Sequence, residues 1–189
     1  NHPDIHTFDT SCNIVGANNW NGGKGGLHFS SSFYNTKHSF VGIYGQVSIP
    51  SEITTRNARS FAFDSNDNMF IWFGNANQDS NIVKLNSSHQ YVSHIGRLGV
   101  GCGSGKARFS WDMKTDSAGN VYLSDSLCHT ITKFDNNLNY VSHFGSYGTG
   151  NNQWRYNYGF DIYDDEIFIA DYYGHRILNF DLSGNYLSK

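Results

Sequence analysis

Two stretches of the chain repeat one another without a gap. Residues 121–141 read VYLSDSLCHTITKFDNNLNYV, and residues 167–187, which begin 46 positions later, read IFIADYYGHRILNFDLSGNYL. No apolar pattern at helical spacing persists anywhere in the chain. A period of this length without helices is typical of repeated units of short β-strands.

Each repeated unit ends in an eight-residue pattern. An apolar residue is followed by Asp or Asn, three variable residues, Asn or Gln, and two apolar residues. The copies lie at 8–15, 85–92, 134–141 and 180–187. Asp and Asn favour turns because their side chains bond nearby backbone groups. Each copy therefore predicts the loop of a β-hairpin.

These units predict an all-β chain of about four blades, each with four antiparallel strands named a, b, c and d, arranged as a β-propeller. We expect one propeller domain or a segment of one. The predicted divisions are a half blade of strands c and d over 1–16, a degenerate blade over 17–57, and blades over 58–96, 97–145 and 146–189. The b–c loops and the d–a linkers between blades are expected to share one face.

The last unit resembles an NHL repeat most clearly over residues 143–187, and the resemblance is looser over 59–142. The matching residues are Phe144-Gly145, Gly159, Ala170-Asp171, His175-Arg176-Ile177 and Phe180-Asp181, while Gly174 replaces the usual Asn. The resemblance implies an NHL-type β-propeller. Members of that family serve as platforms for protein, RNA or glycan partners, and its lyase and lactonase relatives hold a metal in the central channel.

The N-terminus carries only half of a unit. Residues 5–15 match strands c and d, whereas the last unit is already complete. An isolated hairpin is marginal in water and an exposed strand edge attracts partners. We expect the hairpin to pair with preceding sequence or, by strand addition, with another subunit. The second alternative predicts an oligomer or a filament.

Composition excludes several classes of partner. Charged residues make up 15% of the chain and the net charge is −3, with no basic run. We therefore expect no nucleic-acid partner. No stretch of 18 apolar residues occurs, so no membrane span is predicted.

The start at Asn1 without an initiator Met predicts a processed chain or a piece of a longer one. Low charge and abundant Asn and Tyr indicate an extracellular, secreted protein.

Two modifications are predicted on the loops. Cys102 lies in a d–a linker and Cys128 in the b–c loop of the following blade, so both lie on one face and predict a disulfide; the alternative is free thiols. Cys12 stays unpaired in either case. Asn86 begins the only Asn-x-Ser/Thr sequon, in a hairpin loop, and is predicted to carry a glycan.

The residues of a catalytic site are not evident. His129 and His175 occupy equivalent positions in successive units, as do His94 and His143, which favours structural roles. The glycine-rich linker ending at Lys106 lacks the spacing of a phosphate loop, and no nucleophile motif occurs. The prediction is that the chain is not an enzyme and holds no metal or cofactor. The alternative is a metal-dependent lyase or lactonase-type enzyme with its site in the channel.

The loops of one face carry the candidate binding residues, which are Arg97, Trp154, Arg155, Tyr172 and Tyr173. Arg and aromatic side chains are common interface anchors. For Trp154 the alternative is that it fills the space between blades. Taken together, the sequence predicts a non-catalytic, extracellular structural and interaction module. It would assemble with itself through its N-terminal hairpin and bind protein or glycan ligands.

Overall fold

A computed structural model describes residues 58–75, 78–96, 98 and 101–189. Before residue 58 it describes Pro50 and the backbone of six short strands between residues 6 and 48. The strands are β1 His6–Phe8, β2 Ile14–Ala17, β3 Gly26–His28, β4 Ser32–Tyr34, β5 Phe40–Ile43, β6 Gln46–Ser48, β7 Ala58–Phe63, β8 Met69–Asn75, β9 Gln78–Leu85, β10 Tyr91–Ile95, β11 Ser110–Thr115, β12 Val121–Asp125, β13 Thr130–Phe134, β14 Tyr140–Phe144, β15 Asn157–Tyr163, β16 Glu166–Asp171, β17 Arg176–Asp181 and β18 Tyr186–Ser188. One turn of 3₁₀ helix, Tyr172–Gly174, lies between β16 and β17.

Three sheets of four antiparallel strands make up the fold from residue 58 onward. Their strand orders are β7-β8-β9-β10, β11-β12-β13-β14 and β15-β16-β17-β18, so each sheet is built from strands that follow one another along the chain. We call them the first, second and third sheets. The prediction of an all-β chain built from four-stranded antiparallel units is confirmed for these three sheets.

The predicted number of about four blades is wrong for the part of the chain that the structure describes, which has three four-stranded sheets. Before them, β1 pairs with β2, β3 with β6 and β4 with β5, each as a two-stranded sheet. Residues 17–57 lack the hairpin pattern that joins strands c and d in every complete unit. Their strands of three or four residues therefore do not form a fourth sheet of this kind.

The hairpin turns explain the repeated Asp and Asn. Asp181 Oδ1 accepts hydrogen bonds from the backbone N–H groups of Ser183 and Asn185, and its Oδ2 accepts one from Asn185 Nδ2 at 2.8 Å. The same three bonds recur in the turns that begin at Asp64, Asp116 and Asp135. The pattern is thus a turn closed by one carboxylate.

A fifth turn achieves the same closure without a charge. Asn86 Oδ1 accepts from the N–H groups of Ser88 and Gln90, and Asn86 Nδ2 donates to Gln90 Oε1 at 3.1 Å. The amide of Asn86 has a donor where Asp has an acceptor, and Gln90 supplies the matching acceptor. The residue that begins the sequon is therefore also the residue that closes this turn.

The sheets stack through two clusters of buried side chains. The first and second sheets share Ala62, Phe70, Trp72, Ile82, Leu98, Ala107, Met113, Val121, Leu123, Phe134 and Leu138. The second and third share Tyr122, Ile131, Trp154, Phe160, Ile167, Ile169, Leu178 and Phe180. Burying one large apolar side chain stabilises a fold by roughly 1.5–3 kcal/mol. Both faces of the second sheet are covered in this way.

A repeated lysine contact joins neighbouring sheets at the edge of these clusters. Lys84 Nζ of the first sheet donates to the carbonyl oxygen of Asn136 in the second at 2.9 Å. Lys133 Nζ of the second sheet approaches the carbonyl oxygen of Leu182 in the third at 3.4 Å. Each ammonium also lies about 5 Å from an aromatic ring of its own sheet. The interfaces are therefore built alike.

The carboxylate turns predict that the protein loses stability in acid. Hydrogen bonds from Asn185 to the carboxylate of Asp181 lower the pKa of that group. A carboxyl group with a lowered pKa in the folded state contributes stability that is fully present above its unfolded pKa, near 4, and is lost as the pH falls through the folded pKa. The double substitution Asp181→Asn with Asn185→Gln copies the Asn86–Gln90 turn. We expect this variant to lose less stability than the wild type between pH 5 and pH 3.

Urea denaturation at pH 7, 5, 4 and 3 measures this difference. At pH 7 the two proteins should have similar midpoints, because both turns keep their hydrogen bonds. Midpoints that decline in parallel across the whole range would show that the carboxylate of this turn does not contribute to the acid response.

Candidate functional site

An aspartate at the end of strand β16 organises one face of the third sheet. Asp171 Oδ1 accepts from the N–H groups of Arg155 at 2.9 Å and Gly174 at 3.2 Å, and Oδ2 accepts from Arg176 Nε at 3.0 Å. The guanidinium of Arg176 also donates to three carbonyl oxygens of the linker, within residues 149–153. One buried carboxylate therefore holds the linker, the 3₁₀ turn and the start of β17 in fixed positions.

The second sheet has the same arrangement. Asp125, at the end of β12, accepts from the N–H of Cys128 at 3.0 Å and from the N–H of Arg108 in the linker. Here a disulfide adds a covalent connection, because Cys102 of the linker is bonded to Cys128 with their Cα atoms 5.4 Å apart. Cys12 lies outside the described residues. In the first sheet Phe73 occupies the equivalent position, so among the three described four-stranded sheets the second and third have this carboxylate.

The repeated histidines have repeated backbone and side-chain roles. His129 and His175 both adopt the left-handed conformation, with φ of 55° and 53°, in the turn between strands b and c. Two further histidines each contact the tyrosine three residues earlier: Tyr91 Oη and His94 Nδ1 are 2.9 Å apart, and Tyr140 Oη and His143 Nδ1 are 2.7 Å apart. No group of three or more His, Cys, Asp or Glu side chains that could hold a metal ion occurs among the described residues.

One acidic group lies on the first strand of the second sheet, beside the third. Burial raises the pKa of Asp112, while Lys114, whose Nζ is 3.3 Å from Asp112 Oδ1, acts in the opposite direction. Asp112 Oδ2 also accepts from the N–H of Phe160 at 3.3 Å. The carboxylate therefore contributes to the contact between β11 and β15.

Seven side chains form a continuous series of contacts at the starts of strands β7, β11 and β15. The guanidinium of Arg59 lies 4.5 Å from the ring centre of Phe109, which is 4.9 Å from the ring of Trp111. Trp111 Nε1 approaches Tyr156 Oη at 3.4 Å. From Tyr156 the contacts continue through Tyr158, Tyr172 and Tyr173, with ring centres 4.8, 5.4 and 5.0 Å apart in turn. We name these seven side chains the aromatic rim.

The tyrosines of the aromatic rim are closely packed and yet open to solvent. Tyr156 and Tyr173 are also in contact, with ring centres 6.0 Å apart, so the four tyrosines form a closed circuit. Between 39% and 58% of the surface of Trp111, Tyr158, Tyr172 and Tyr173 is exposed. Large contiguous apolar patches on a soluble protein are commonly interaction sites.

The charge of the aromatic rim lies at one end of the series. Arg59 is its only charged member, and its Nε donates to the carbonyl oxygen of Gly74 at 2.9 Å. Partial desolvation raises the pKa of Tyr158, and the neighbouring tyrosines act in the same direction. A tyrosine hydroxyl is neutral at physiological pH even without such a shift, so Tyr158 offers a hydrogen-bond donor. The surface is suited to an uncharged ligand that has both apolar and hydroxyl-bearing edges.

The structure places the predicted binding residues in different environments. Tyr172 and Tyr173 belong to the aromatic rim, and Arg155, which precedes Tyr156 in the chain, is exposed. Trp154 is completely buried, so its prediction as a surface binding residue is corrected. Its indole ring occupies the space beside Gly145, where any side chain would collide with it. Arg97 lies outside the described residues.

The sequence-based predictions missed most of the aromatic rim, including Trp111, Tyr156 and Tyr158. A signal was present, because the two d–a linkers align so that Phe109 matches Tyr156 and Trp111 matches Tyr158. Aromatic residues repeated at equivalent places near the start of strand a indicate a shared surface. Their convergence becomes visible only once neighbouring sheets are known to bring these strands together.

No family model and no curated protein matches this sequence. Several solved structures are similar in fold. A streptogramin B lyase structure is 14% identical with a TM-score of 0.53, over 72% of this chain and 41% of that one. A virginiamycin B lyase from Staphylococcus aureus is 12% identical with a TM-score of 0.51, over 71% and 41%. A protein of unknown function from Bacteroides caccae is 12% identical with a TM-score of 0.54, over 97% and 67%.

These likenesses show a β-propeller-like fold. The chain spans about two fifths of the length of the two lyases. The prediction that the chain is not an enzyme is corrected, because two of the solved structures that share its fold are lyases. At 12–14% identity the likeness shows the fold alone, so it assigns no reaction to this chain. The resemblance to the NHL family stays a prediction.

In the part of the chain that the structure describes, no helix is long and apolar enough to cross a membrane.

The disulfide predicts a redox-dependent stability. Cys102 and Cys128 are 26 positions apart, and closing a loop of that length stabilises a protein by about 3.5 kcal/mol in the chain-entropy estimate. We expect a reductant to lower the urea midpoint of the wild type to that of the Cys102→Ser, Cys128→Ser double variant. The same reductant should leave the double variant unchanged. An unchanged wild-type midpoint after complete reduction would contradict this account.

Proposed function

We propose that this chain is an extracellular interaction module that binds neutral glycans through the aromatic rim. The observation that carries the proposal is the series of neighbouring aromatic rings across the second and third sheets, four of which are exposed. The Cys102–Cys128 disulfide supports an oxidising compartment, because such bonds persist mainly in secreted proteins.

The chemistry of the aromatic rim favours a sugar over a charged ligand. Each tyrosine combines an apolar ring face with a hydroxyl at its edge, and it presents both with little loss of side-chain entropy. A pyranose ring has a complementary arrangement, with C–H groups on its faces and hydroxyls around its edge. The only charged member of the rim is Arg59, which lies at one end of the series against Gly74 and Phe109, so the tyrosines carry no charged neighbour within the rim.

The shape of the aromatic rim favours an extended ligand. The rings follow one another from Phe109 to Tyr173, and each contacts its neighbour. A ligand with several sugar units can contact several rings at once. A protein partner would also be compatible with exposed tyrosine and tryptophan, and it is therefore an alternative outcome of the test below.

The finer fold assignment belongs to the same proposal. We propose an NHL-type propeller with an incomplete N-terminal half blade, formed by strands c and d. Its support is the equivalence of Asp125 and Asp171, which lie where the NHL pattern has its Ala-Asp and which make matching bonds to a linker and a turn. Asn86 remains our proposed glycosylation site, in the turn between β9 and β10.

Glycan binding through the aromatic rim can be tested with single substitutions. We expect the wild type to bind members of an array of neutral and anionic oligosaccharides, with a preference for neutral ones. Tyr158→Ala and Tyr172→Ala should each weaken binding of the best oligosaccharide about tenfold in calorimetry, since an aromatic stacking contact contributes roughly 1–3 kcal/mol.

Tyr163→Ala is the matched control, because Tyr163 is 75% exposed at the other end of the same strand as Tyr158. This variant should bind as the wild type does. Failure to bind any neutral glycan, or equal binding by all three variants, would contradict the proposal. A protein ligand lost in the two rim variants but retained in Tyr163→Ala would assign the surface to protein recognition instead.

We also propose that the N-terminal hairpin mediates self-assembly. In the described part of the chain β1 pairs with β2 in a sheet of two strands, which is marginal in isolation. Deleting residues 1–16 should convert an oligomer into monomers in sedimentation velocity. Thr7→Pro removes a backbone donor from β1 without changing the length of the chain and should have the same effect. An equal sedimentation coefficient for all three proteins at high concentration would contradict this proposal.

A further inference from the structure

The linkers that lead into the second and third sheets are held in different ways. In the third sheet the guanidinium of Arg176 donates to three carbonyl oxygens of the linker, within residues 149–153. Thr130 occupies the position of Arg176 in the second sheet. The strand register shows this, because each of the two is paired with the aspartate that organises its sheet, Asp125 or Asp171. Threonine has no guanidinium, so the second linker is held by another connection.

The disulfide between Cys102 and Cys128 takes the place of this arginine. The backbone N–H of Cys128 donates to Asp125 at 3.0 Å, as the corresponding residue of the third sheet does to Asp171 at 3.2 Å. The disulfide joins this turn to its linker, as Arg176 joins the start of β17 to the other linker. The two connections are therefore equivalent in place, but only the disulfide can be broken by a reductant.

The turn that carries Cys128 also holds one member of the aromatic rim. Ser126 donates to the carbonyl oxygen of Phe109 through its backbone N–H at 3.0 Å and through its Oγ at 3.3 Å. The ring of Phe109 contacts that of Trp111, with their centres 4.9 Å apart. Phe109 therefore follows the position of this turn, and the disulfide limits how far the turn can move from the linker.

The disulfide is open to a dithiol reductant. Cys102 is exposed and Cys128 is half-buried, and exposed disulfides are generally the labile ones. A thiolate of the reductant attacks the sulfur of Cys102, and the sulfur of Cys128 leaves as a thiolate that takes up a proton. The second thiol of the reductant then releases Cys102. The reductant becomes a disulfide, and each cysteine has gained one electron and one proton.

We propose that Cys102 and Cys128 are positioning residues of the aromatic rim, and that their reduction loosens the half of the rim that the second sheet contributes. Phe109 and Trp111 make up that half. The tyrosines of the third sheet keep their positions, because their linker is held by Arg176 and not by a disulfide. The effect on ligand affinity rests on glycan binding by the rim, whereas the effect on position does not.

Limited digestion with trypsin compares two equivalent bonds within one protein. Arg108 and Arg155 each donate a backbone N–H to the aspartate that organises their sheet, and each is followed by a rim residue. Cleavage of a native protein follows local opening. In the Cys102→Ser, Cys128→Ser double variant, cleavage after Arg108 should be about tenfold faster than in the wild type. Cleavage after Arg155 should keep its wild-type rate.

Arg176→Thr is the matched variant, because it gives the third sheet the residue that the second sheet has. Backbone N–H groups alone satisfy the carboxylate of Asp125 among the described contacts, so an aspartate at this place does not require an arginine. We expect the reverse pattern, with faster cleavage after Arg155 and an unchanged rate after Arg108.

Fluorine NMR reports on the rim without any ligand. The full-length protein is labelled with 5-fluorotryptophan, and the resonances of Trp111 and Trp154 are assigned by substituting each with phenylalanine. Reduction with dithiothreitol should shift and narrow the ¹⁹F resonance of Trp111, because its side chain becomes more mobile. The resonance of Trp154 should not change, since this tryptophan is completely buried and its linker is held by Arg176.

The affinity for the best neutral oligosaccharide links the position of the rim to its function. Reduction of the wild type should weaken binding about tenfold in calorimetry, since two mobile ring side chains would have to be immobilised again by the ligand. The double serine variant should bind with this weaker affinity whether or not the reductant is present.

Three results would each overturn the proposal. Equal acceleration of cleavage after Arg108 and Arg155 in the double serine variant would show that the disulfide acts on the whole fold. An unchanged Trp111 resonance after complete reduction would show that the disulfide does not position the rim. An unchanged glycan affinity despite a shifted Trp111 resonance would remove the effect on the ligand. If the wild type binds no glycan, the proposed function fails, while the digestion and the Trp111 resonance still decide whether the disulfide positions the rim.

Discussion

The structure depends on the stacking of sheets that are apolar on both faces. The second sheet shows this directly, because Leu123 and Phe134 face the first sheet while Tyr122 and Ile131 face the third. An isolated sheet cannot bury the apolar side chains on either of its faces, so the sheets become stable only when they are stacked side by side. The lysine contacts and the carboxylate turns then fix how neighbouring sheets are placed, since both occur at the margins of the apolar clusters.

The aromatic rim is a product of this stacking. Side-by-side sheets bring the starts of β7, β11 and β15 together, and the carboxylates of Asp125 and Asp171 hold the adjoining linkers and turns against them. Residues from separate units, such as Trp111 and Tyr156, thereby become neighbours. The surface that we assign to ligand binding therefore needs no element beyond those that already stabilise the fold.

Much of the fold could be predicted from sequence because its determinants are local. The bonds within the Asp181 turn involve residues at most four positions apart, and the Cys102–Cys128 pair follows from the order of strands within a blade. The burial of Trp154 and the contact of Trp111 with Tyr156 depend on distances between units, which a repeat pattern does not contain. The positions of the two buried tryptophans also could not be predicted. Trp72 lies on strand b and shares a cluster with the linker residue Ala107, whereas Trp154 itself lies on the linker. The two tryptophans therefore occupy different positions of the repeat, although each fills an interface between sheets.

The disulfide has a mechanical consequence. Residues 103–127 lie inside the covalent loop that it closes, and they include all of β11 and β12. A force applied to the two ends of the chain passes through the sulfur–sulfur bond and bypasses both strands. About 25 residues, or roughly 85 Å of contour length, would stay inaccessible to stretching while the bond is intact. Oxidation thus sets how far this protein can extend under tension.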